Sequence, residues 1–185
     1  EQVWNLYGPT ETTIWSTIER LTSDKAVSIG RPIANTAIYI LDTSASLPRL
    51  VPEGTVGELC IGGDGLARGY LNRPVLTTQK FITCDFPECG PQKIYRTGDL
   101  ARWLPDGTID CLGRIDDQVK IRGHRIEPGE VEHAINTYSG VSNCVVLAQK
   151  DSYGYANLVA YILPDATYQL AELQGHLNRL LPAYM

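Results

Sequence analysis

The chain has 185 residues, 43% of them hydrophobic and 20% charged, and carries a net charge of −5 at pH 7. That balance is ordinary for a globular chain large enough to bury a core without disulfide or metal staples. Negative charge without a basic cluster argues against nucleic acid or an anionic membrane as the main partner, although backbone N–H groups and a bound cation can still hold a phosphate ligand. No apolar run reaches the roughly 18 residues of a membrane-crossing helix. The opening residues Glu1-Gln2-Val3-Trp4-Asn5 lack the basic-then-apolar pattern of a signal peptide.

The first dense cluster is Tyr7-Gly8-Pro9-Thr10-Glu11-Thr12-Thr13. Glycine and proline fix a sharp backbone path, hydroxyls can donate to phosphoryl oxygens, and a carboxylate can hold Mg²⁺. A tyrosine just before could stack on a nucleobase. The plainer alternative is a turn entering a helix, with Thr10 capping and Glu11 in the first turn. Short apolar runs at 36–41, 57–61, 109–112 and 118–121 predict strands in a β-rich region. Gly62-Gly63-Asp64-Gly65-Leu66-Ala67-Arg68-Gly69-Tyr70 matches neither phosphate-binding glycine fingerprint and reads as structural.

Tyr95-Arg96-Thr97-Gly98-Asp99-Leu100 places one carboxylate after a predicted tight turn. An ionised Asp can accept from both hydroxyls of a ribose; a turn Asp bonding its own backbone is the alternative. Pro105-Asp106-Gly107 predicts a hairpin over 101–113. The interleaved charges of Gly113-Arg114-Ile115-Asp116-Asp117-Gln118-Val119-Lys120-Ile121-Arg122-Gly123-His124-Arg125-Ile126 fit either a solvated edge strand or a linker that moves. From Pro128, Val131, Ala134, Ile135 and Tyr138 share a helical face that Gly140 should end. Strands at 144–147 and 158–163 follow. Leu170, Leu173, Leu177, Leu180 and Leu181 then form a second amphipathic helix, completing a small α+β unit. The boundary between units is expected at 115–117.

The five cysteines, Cys60, Cys84, Cys89, Cys111 and Cys144, form no CxxC pair. They read as reduced thiols of a cytoplasmic protein rather than a zinc site. Cys84 and Cys89 share a loop and could approach each other. His124, His133 and His176 have neither metal spacing nor a nucleophile partner.

Singly these motifs are weak; their order is not. Asn5-Leu6-Tyr7-Gly8-Pro9-Thr10-Glu11 comes first. Gly57-Glu58-Leu59-Cys60-Ile61-Gly62-Gly63 follows with Ala67-Arg68-Gly69-Tyr70-Leu71, then Tyr95 to Leu100, the stretch 113–132 and Leu181-Pro182-Ala183-Tyr184-Met185. The series resembles the adenylation domains of nonribosomal peptide synthetases, in the adenylate-forming superfamily. The resemblance implies an α+β fold. Residues 1–115 would be the C-terminal, β-rich, distorted-barrel part of the large AMP-binding domain, and 116–185 part of the small hinge-linked domain, both incomplete. It implies an ATP-dependent ligase that joins an amino acid to AMP and passes it to a phosphopantetheine thiol, with carrier and condensation domains as partners.

Roles follow from the resemblance residue by residue. Tyr7 would stack on adenine. Gly8 and Thr10 would line the nucleotide, with the Thr10 hydroxyl on the α-phosphate and Glu11 on Mg²⁺. Asp99 would accept from the ribose hydroxyls, and Arg114 would also reach the ribose. Asp116 would be the hinge, while Lys120 and Gly123 would lie in the loop that turns inward for thioester formation. Leu6, Ile14 and Trp15 would line the side-chain pocket; all are apolar and Trp15 is large, which implies glycine or, next, alanine. Alternatively Trp15 packs into the core. Cys111 stands where the family often has an aromatic against the nucleotide, losing a stacking contact. The family's phosphate loop and substrate-amine aspartate would lie upstream and its late lysine downstream, so the piece alone is expected to be inactive. Competing readings are an acyl-CoA or fatty-acid ligase of the same superfamily and a non-enzymatic binding remnant.

Overall fold

A computed structural model describes residues 2–44, 48–87, 89–152 and 154–185. The chain forms two compact units, Glu1–Ile115 and Asp116–Met185.

The first unit begins with β1 (Val3–Tyr7), a 3₁₀ turn at Thr10–Thr12, β2 (Thr17–Leu21) and β3 (Arg31–Pro32), joined in one small antiparallel sheet. Then come β4 (Thr36–Asp42), β5 (Arg49–Leu50), β6 (Gly57–Gly63), α1 (Pro74–Lys80), β7 (Phe81–Phe86), β8 (Gly90–Trp103) and β9 (Ile109–Arg114). These six strands form an antiparallel sheet in the order β5-β4-β6-β8-β7, with β9 also paired to β8. The sheet curls into a half-barrel, as the family resemblance implies.

Successive strand residues point to opposite faces, and here both faces are covered. Leu41, Cys60, Cys84, Phe86 and Ile94 form one cluster, Ile40, Leu59, Ala101 and Ile109 another. The central strand β6 is therefore buried on both sides from Gly57 to Gly62. The hairpin closes at Pro105-Asp106-Gly107, where Asp106 Oδ1 accepts from the Thr108 N–H at 3.1 Å and its hydroxyl at 2.6 Å.

Two expectations for this unit are corrected. The stretch from Tyr95 to Asp99 is not a tight turn; it lies inside β8, which runs 14 residues. In the 3₁₀ turn Pro9, not Thr10, holds the cap position, with no side-chain cap. Cys84 is buried and Cys89 exposed, and both are free thiols.

The second unit contains β10 (Val119–Ile121), β11 (His124–Ile126), α2 (Pro128–Asn136), β12 (Val141–Lys150), β13 (Ala156–Pro164) and α3 (Leu170–Leu180). Val131 and Ile135 of α2 pack against Cys144 and Val146 of β12, with Ile121, Ile126 and Leu173 closing the same core. The charged stretch is thus neither a lone edge strand nor an open linker throughout: Val119 to Ile126 is a hairpin, with Val119 opposite Ile126. Its buried Gln118 receives the Arg125 Nε–H at 2.7 Å and donates to Glu127. Gly140 does not end α2, which stops at Asn136 with Thr137 as its C-cap. A side chain at Gly140 would meet the Tyr168 Cα at 2.9 Å, so close packing explains the glycine. Among the described residues no helix is long and apolar enough to cross a membrane.

Two glycines separate crowding from backbone strain. Gly30 (φ +82°) would drive a Cβ into the Ile18 carbonyl, whereas Gly54 (φ +80°) faces open space. Gly54→Ala should cost about 1 kcal/mol, and Gly30→Ala more than about 3 kcal/mol. All three tryptophans lie in the first unit, so urea unfolding followed by their fluorescence measures both; equal losses would refute the distinction.

Candidate functional site

Three motif residues meet directly. The Tyr7 hydroxyl, at the end of β1, donates to Asp99 Oδ2. Arg114 Nη1 donates to Asp99 Oδ1 at 2.8 Å, and the two side chains are only 19% and 15% exposed. Arg114 Nη2 also reaches the Thr97 carbonyl at 3.3 Å. Asp99 and Arg114 face each other across β8 and β9, so the hairpin register itself brings them together. An ionised carboxylate has about four lone-pair sites, so these two bonds leave capacity for a ligand's hydroxyls.

Asp99 owes its position to an irregularity. Glu58 pairs with Leu100 and Cys60 with Arg96, so Leu59 alone of β6 faces the three residues Thr97, Gly98 and Asp99 of β8. Such a bulge re-aims a side chain. Gly98 takes φ +76° there, a conformation glycine adopts at little cost. The Thr97 hydroxyl donates to the Leu59 carbonyl at 2.7 Å and accepts the Asp99 N–H at 2.9 Å.

The loop after Tyr7 folds back on itself, with the Ser16 N–H donating to the Tyr7 carbonyl at 2.8 Å. A side chain at Gly8 would collide with the Ile14 carbonyl, so this return needs glycine. Thr13 and Ile14 both take left-handed conformations, φ 64° and 71°. Consecutive β-branched residues there are strained by roughly 1–3 kcal/mol each. Thr10 is exposed at the turn's start, whereas Glu11 is 9% exposed.

Glu11 Oε1 accepts from the Tyr70 hydroxyl at 2.6 Å, and that hydroxyl lies 3.5 Å from the hydroxyl of Tyr95 on β8. The Glu11 carbonyl accepts the Ala67 N–H at 2.9 Å. The segment 62–70 is therefore structural, but Tyr70 also orients a candidate metal carboxylate. Its only sequence signal is an aromatic after a glycine-rich stretch. The motifs assign no role to Glu58 or Arg96, although a charge inside the apolar run Gly57-Glu58-Leu59-Cys60-Ile61 is a detectable anomaly.

A Mg²⁺ ion typically takes one or two carboxylates and completes its shell with phosphate oxygens and waters. Glu11, buried and pre-oriented by Tyr70, fits that single-carboxylate role. Among the described residues no group of three or more His, Cys, Asp or Glu could hold a metal unaided.

The three residues expected to line a side-chain pocket lie on the surface of the unit. Leu6 is 38%, Ile14 68% and Trp15 55% exposed, so Trp15 does not pack into the core. Cys111 is exposed on β9, within electrostatic reach of the Tyr7 phenol. Asp116, Lys120 and Gly123 belong to the second unit. Asp116 Oδ1 accepts the Gln118 N–H at 3.3 Å, Lys120 is exposed on β10, and Gly123 turns the hairpin with φ +83°.

Burial first, then the Asp99 carboxylate, push the Tyr7 phenol far above its ordinary 10.0. Burial, then the bond to Glu11, do the same for Tyr70. Above pH 10 the unfolded chain releases these protons while the folded one retains them. The stability they contribute is thus complete below pH 10 and falls as pH rises beyond it. In an alkaline titration, absorbance should show a late phenolate step coincident with unfolding. Tyr7→Phe should shrink that step by one phenolate; an unchanged step would contradict the burial assigned to Tyr7.

The chain is similar to known proteins over its whole length. The AMP-binding enzyme family matches residues 1–71. Tyrocidine synthase 2 of Brevibacillus parabrevis is 50% identical over 99% of this chain, which covers 5% of that protein. The structure of holo-PA1221, an NRPS protein containing adenylation and PCP domains, superposes with a TM-score of 0.84 at 30% identity, covering 100% of this chain and 31% of that one. The Vibrio cholerae adenylation domain AlmE, in complex with glycyl-adenosine-5'-phosphate, gives a TM-score of 0.83 at 32% identity, covering 100% and 35%. The chain thus spans about a third of each solved relative and a small fraction of the synthetase. It belongs to the AMP-binding enzyme family, as part of an adenylation domain of the nonribosomal peptide synthetase kind.

Proposed function

We propose that the complete protein carrying this segment activates an amino acid with ATP. One carboxylate oxygen of the amino acid bonds to the α-phosphorus as the bond to pyrophosphate breaks, giving aminoacyl-AMP. The thiol of a phosphopantetheine arm on a carrier domain then attacks the acyl carbon and AMP leaves. The observation that carries this reading is Asp99, held by Tyr7 and Arg114 from two separate motifs. In it Asp99 accepts the ribose hydroxyls, assisted by Arg114. The Tyr7 ring, tethered through its hydroxyl, offers a fixed face to adenine, and Gly8 lets the chain pass close by. The Thr10 hydroxyl donates to the α-phosphate. Glu11 holds Mg²⁺, which when bound neutralises charge on the phosphates. Positioning and charge neutralisation are the main means of accelerating attack at phosphorus.

The apolar trio Leu6, Ile14 and Trp15 favours an uncharged, small side chain, glycine first and alanine next. A glycyl-adenylate on one relative supports the same choice. Carrier and condensation domains are the expected partners and the cytoplasm the expected location. ATP–pyrophosphate exchange by the complete protein, tested across amino acids, should respond most to glycine. No exchange with any amino acid would reject the ligase reading; exchange only with a fatty acid would favour an acyl ligase; a large aromatic acid alone would reject the small pocket. Glu11→Gln should lower exchange about 100-fold. The isolated 185-residue chain, lacking a glycine-, serine- and threonine-rich phosphate loop in its sequence, should give none.

Asp116 is the proposed pivot between the two half-reactions, with Lys120 and Gly123 serving the second. Asp116→Pro should therefore spare pyrophosphate exchange while thioester formation on the carrier falls about tenfold or more. Equal loss of both steps would remove Asp116 from that role.

A further inference from the structure

Glu58 is a buried charge whose place the proposed chemistry does not require: it is 3% exposed in the middle of the central strand. Its Oε2 accepts from Arg96 Nε at 3.0 Å and Nη2 at 2.7 Å. Its Oε1 accepts the Gly98 N–H at 3.2 Å, across 40 residues of sequence. Gly98 is the middle residue of the bulge, and its N–H cannot enter the regular ladder because three residues of β8 there face one of β6. A buried N–H without a partner is costly, and Glu58 supplies one from the opposite strand. Arg96 grips the other oxygen with two N–H groups, which fixes the plane of the carboxylate. The next residue beyond Gly98 is Asp99, whose own N–H is held by the Thr97 hydroxyl.

We propose that Glu58, aligned by Arg96, is a positioning residue for nucleotide binding: it pins the bulge at Gly98 and thereby aims Asp99 at the ribose. This rests on the ribose role proposed for Asp99. Glu58 touches no ligand in this scheme and acts only through the Gly98 backbone. A Gln at 58 keeps the volume but loses the charge that holds Arg96, and it can turn its NH₂ toward the Gly98 N–H, releasing the bulge. Arg96→Lys keeps a cation but loses the two-pronged grip.

The test is binding of AMP and of 2′,3′-dideoxy-AMP to the complete protein by calorimetry. The dideoxy ligand lacks both hydroxyls that Asp99 would hold. In the unsubstituted protein AMP should bind about tenfold tighter than the dideoxy form. Glu58→Gln should weaken AMP about tenfold while changing dideoxy-AMP by less than about twofold. Arg96→Lys should weaken AMP by a smaller factor with the same selectivity, and it serves as the readout if Glu58→Gln does not fold. Equal weakening of both ligands, or no change in either, overturns the positioning role while leaving the nucleotide site intact. No AMP binding by the unsubstituted protein overturns the proposed site itself. Equal binding of AMP and dideoxy-AMP by the unsubstituted protein removes the ribose role of Asp99 and, with it, that of Glu58.

Discussion

The first unit depends on a mismatch in its sheet: three residues of β8 lie opposite one residue of β6. A regular ladder would pair every backbone group automatically; this one cannot. The Gly98 N–H is satisfied by a carboxylate and the Asp99 N–H by a hydroxyl. The carboxylate, buried among apolar neighbours, is tolerable only with a counter-charge. Arg96 provides it at 2.7 Å. One local irregularity thus accounts for a glycine, a threonine, a glutamate and an arginine, and leaves Asp99 standing out of the strand between Tyr7 and Arg114.

The surroundings make that irregularity rigid. Clusters on both faces of β6 hold the strand from which Glu58 projects. The loop from Tyr7 to Ser16 is tied at two points to the same long strand, directly from Tyr7 to Asp99 and from Glu11 through Tyr70 towards Tyr95. Two left-handed β-branched residues sit in that loop. Strain of this kind persists only where neighbouring bonds over-determine the backbone, and functional groups are best aimed from such rigid supports.

What the amino-acid order reveals follows the range of the forces involved. The turn at Pro105-Asp106-Gly107 is local chemistry, so the hairpin over 101–113 is readable from three residues. The buried face of α2 is readable from its spacing. The succession of motifs identifies the family, since each is short and their order is specific. The bulge is not readable: Gly98 signals a bend, but whether it turns the chain or kinks a strand depends on Glu58, 40 residues away. Tyr70 is illegible for the same reason, its partner Glu11 being 59 residues distant. Gly140 misleads because crowding by Tyr138 and Tyr168 and the end of a helix both select glycine.

The Ile115 N–H donates to the Gly98 carbonyl at 2.8 Å, and Arg114 bonds both Asp99 and the Thr97 carbonyl. The last two residues of the first unit are therefore fastened to the bulge itself. The first backbone torsions that can rotate without breaking these bonds are those of Ile115 itself, one residue before Asp116. A rotation beginning there would leave the bonds among Tyr7, Asp99 and Arg114 undisturbed, whichever way the chain beyond it ran.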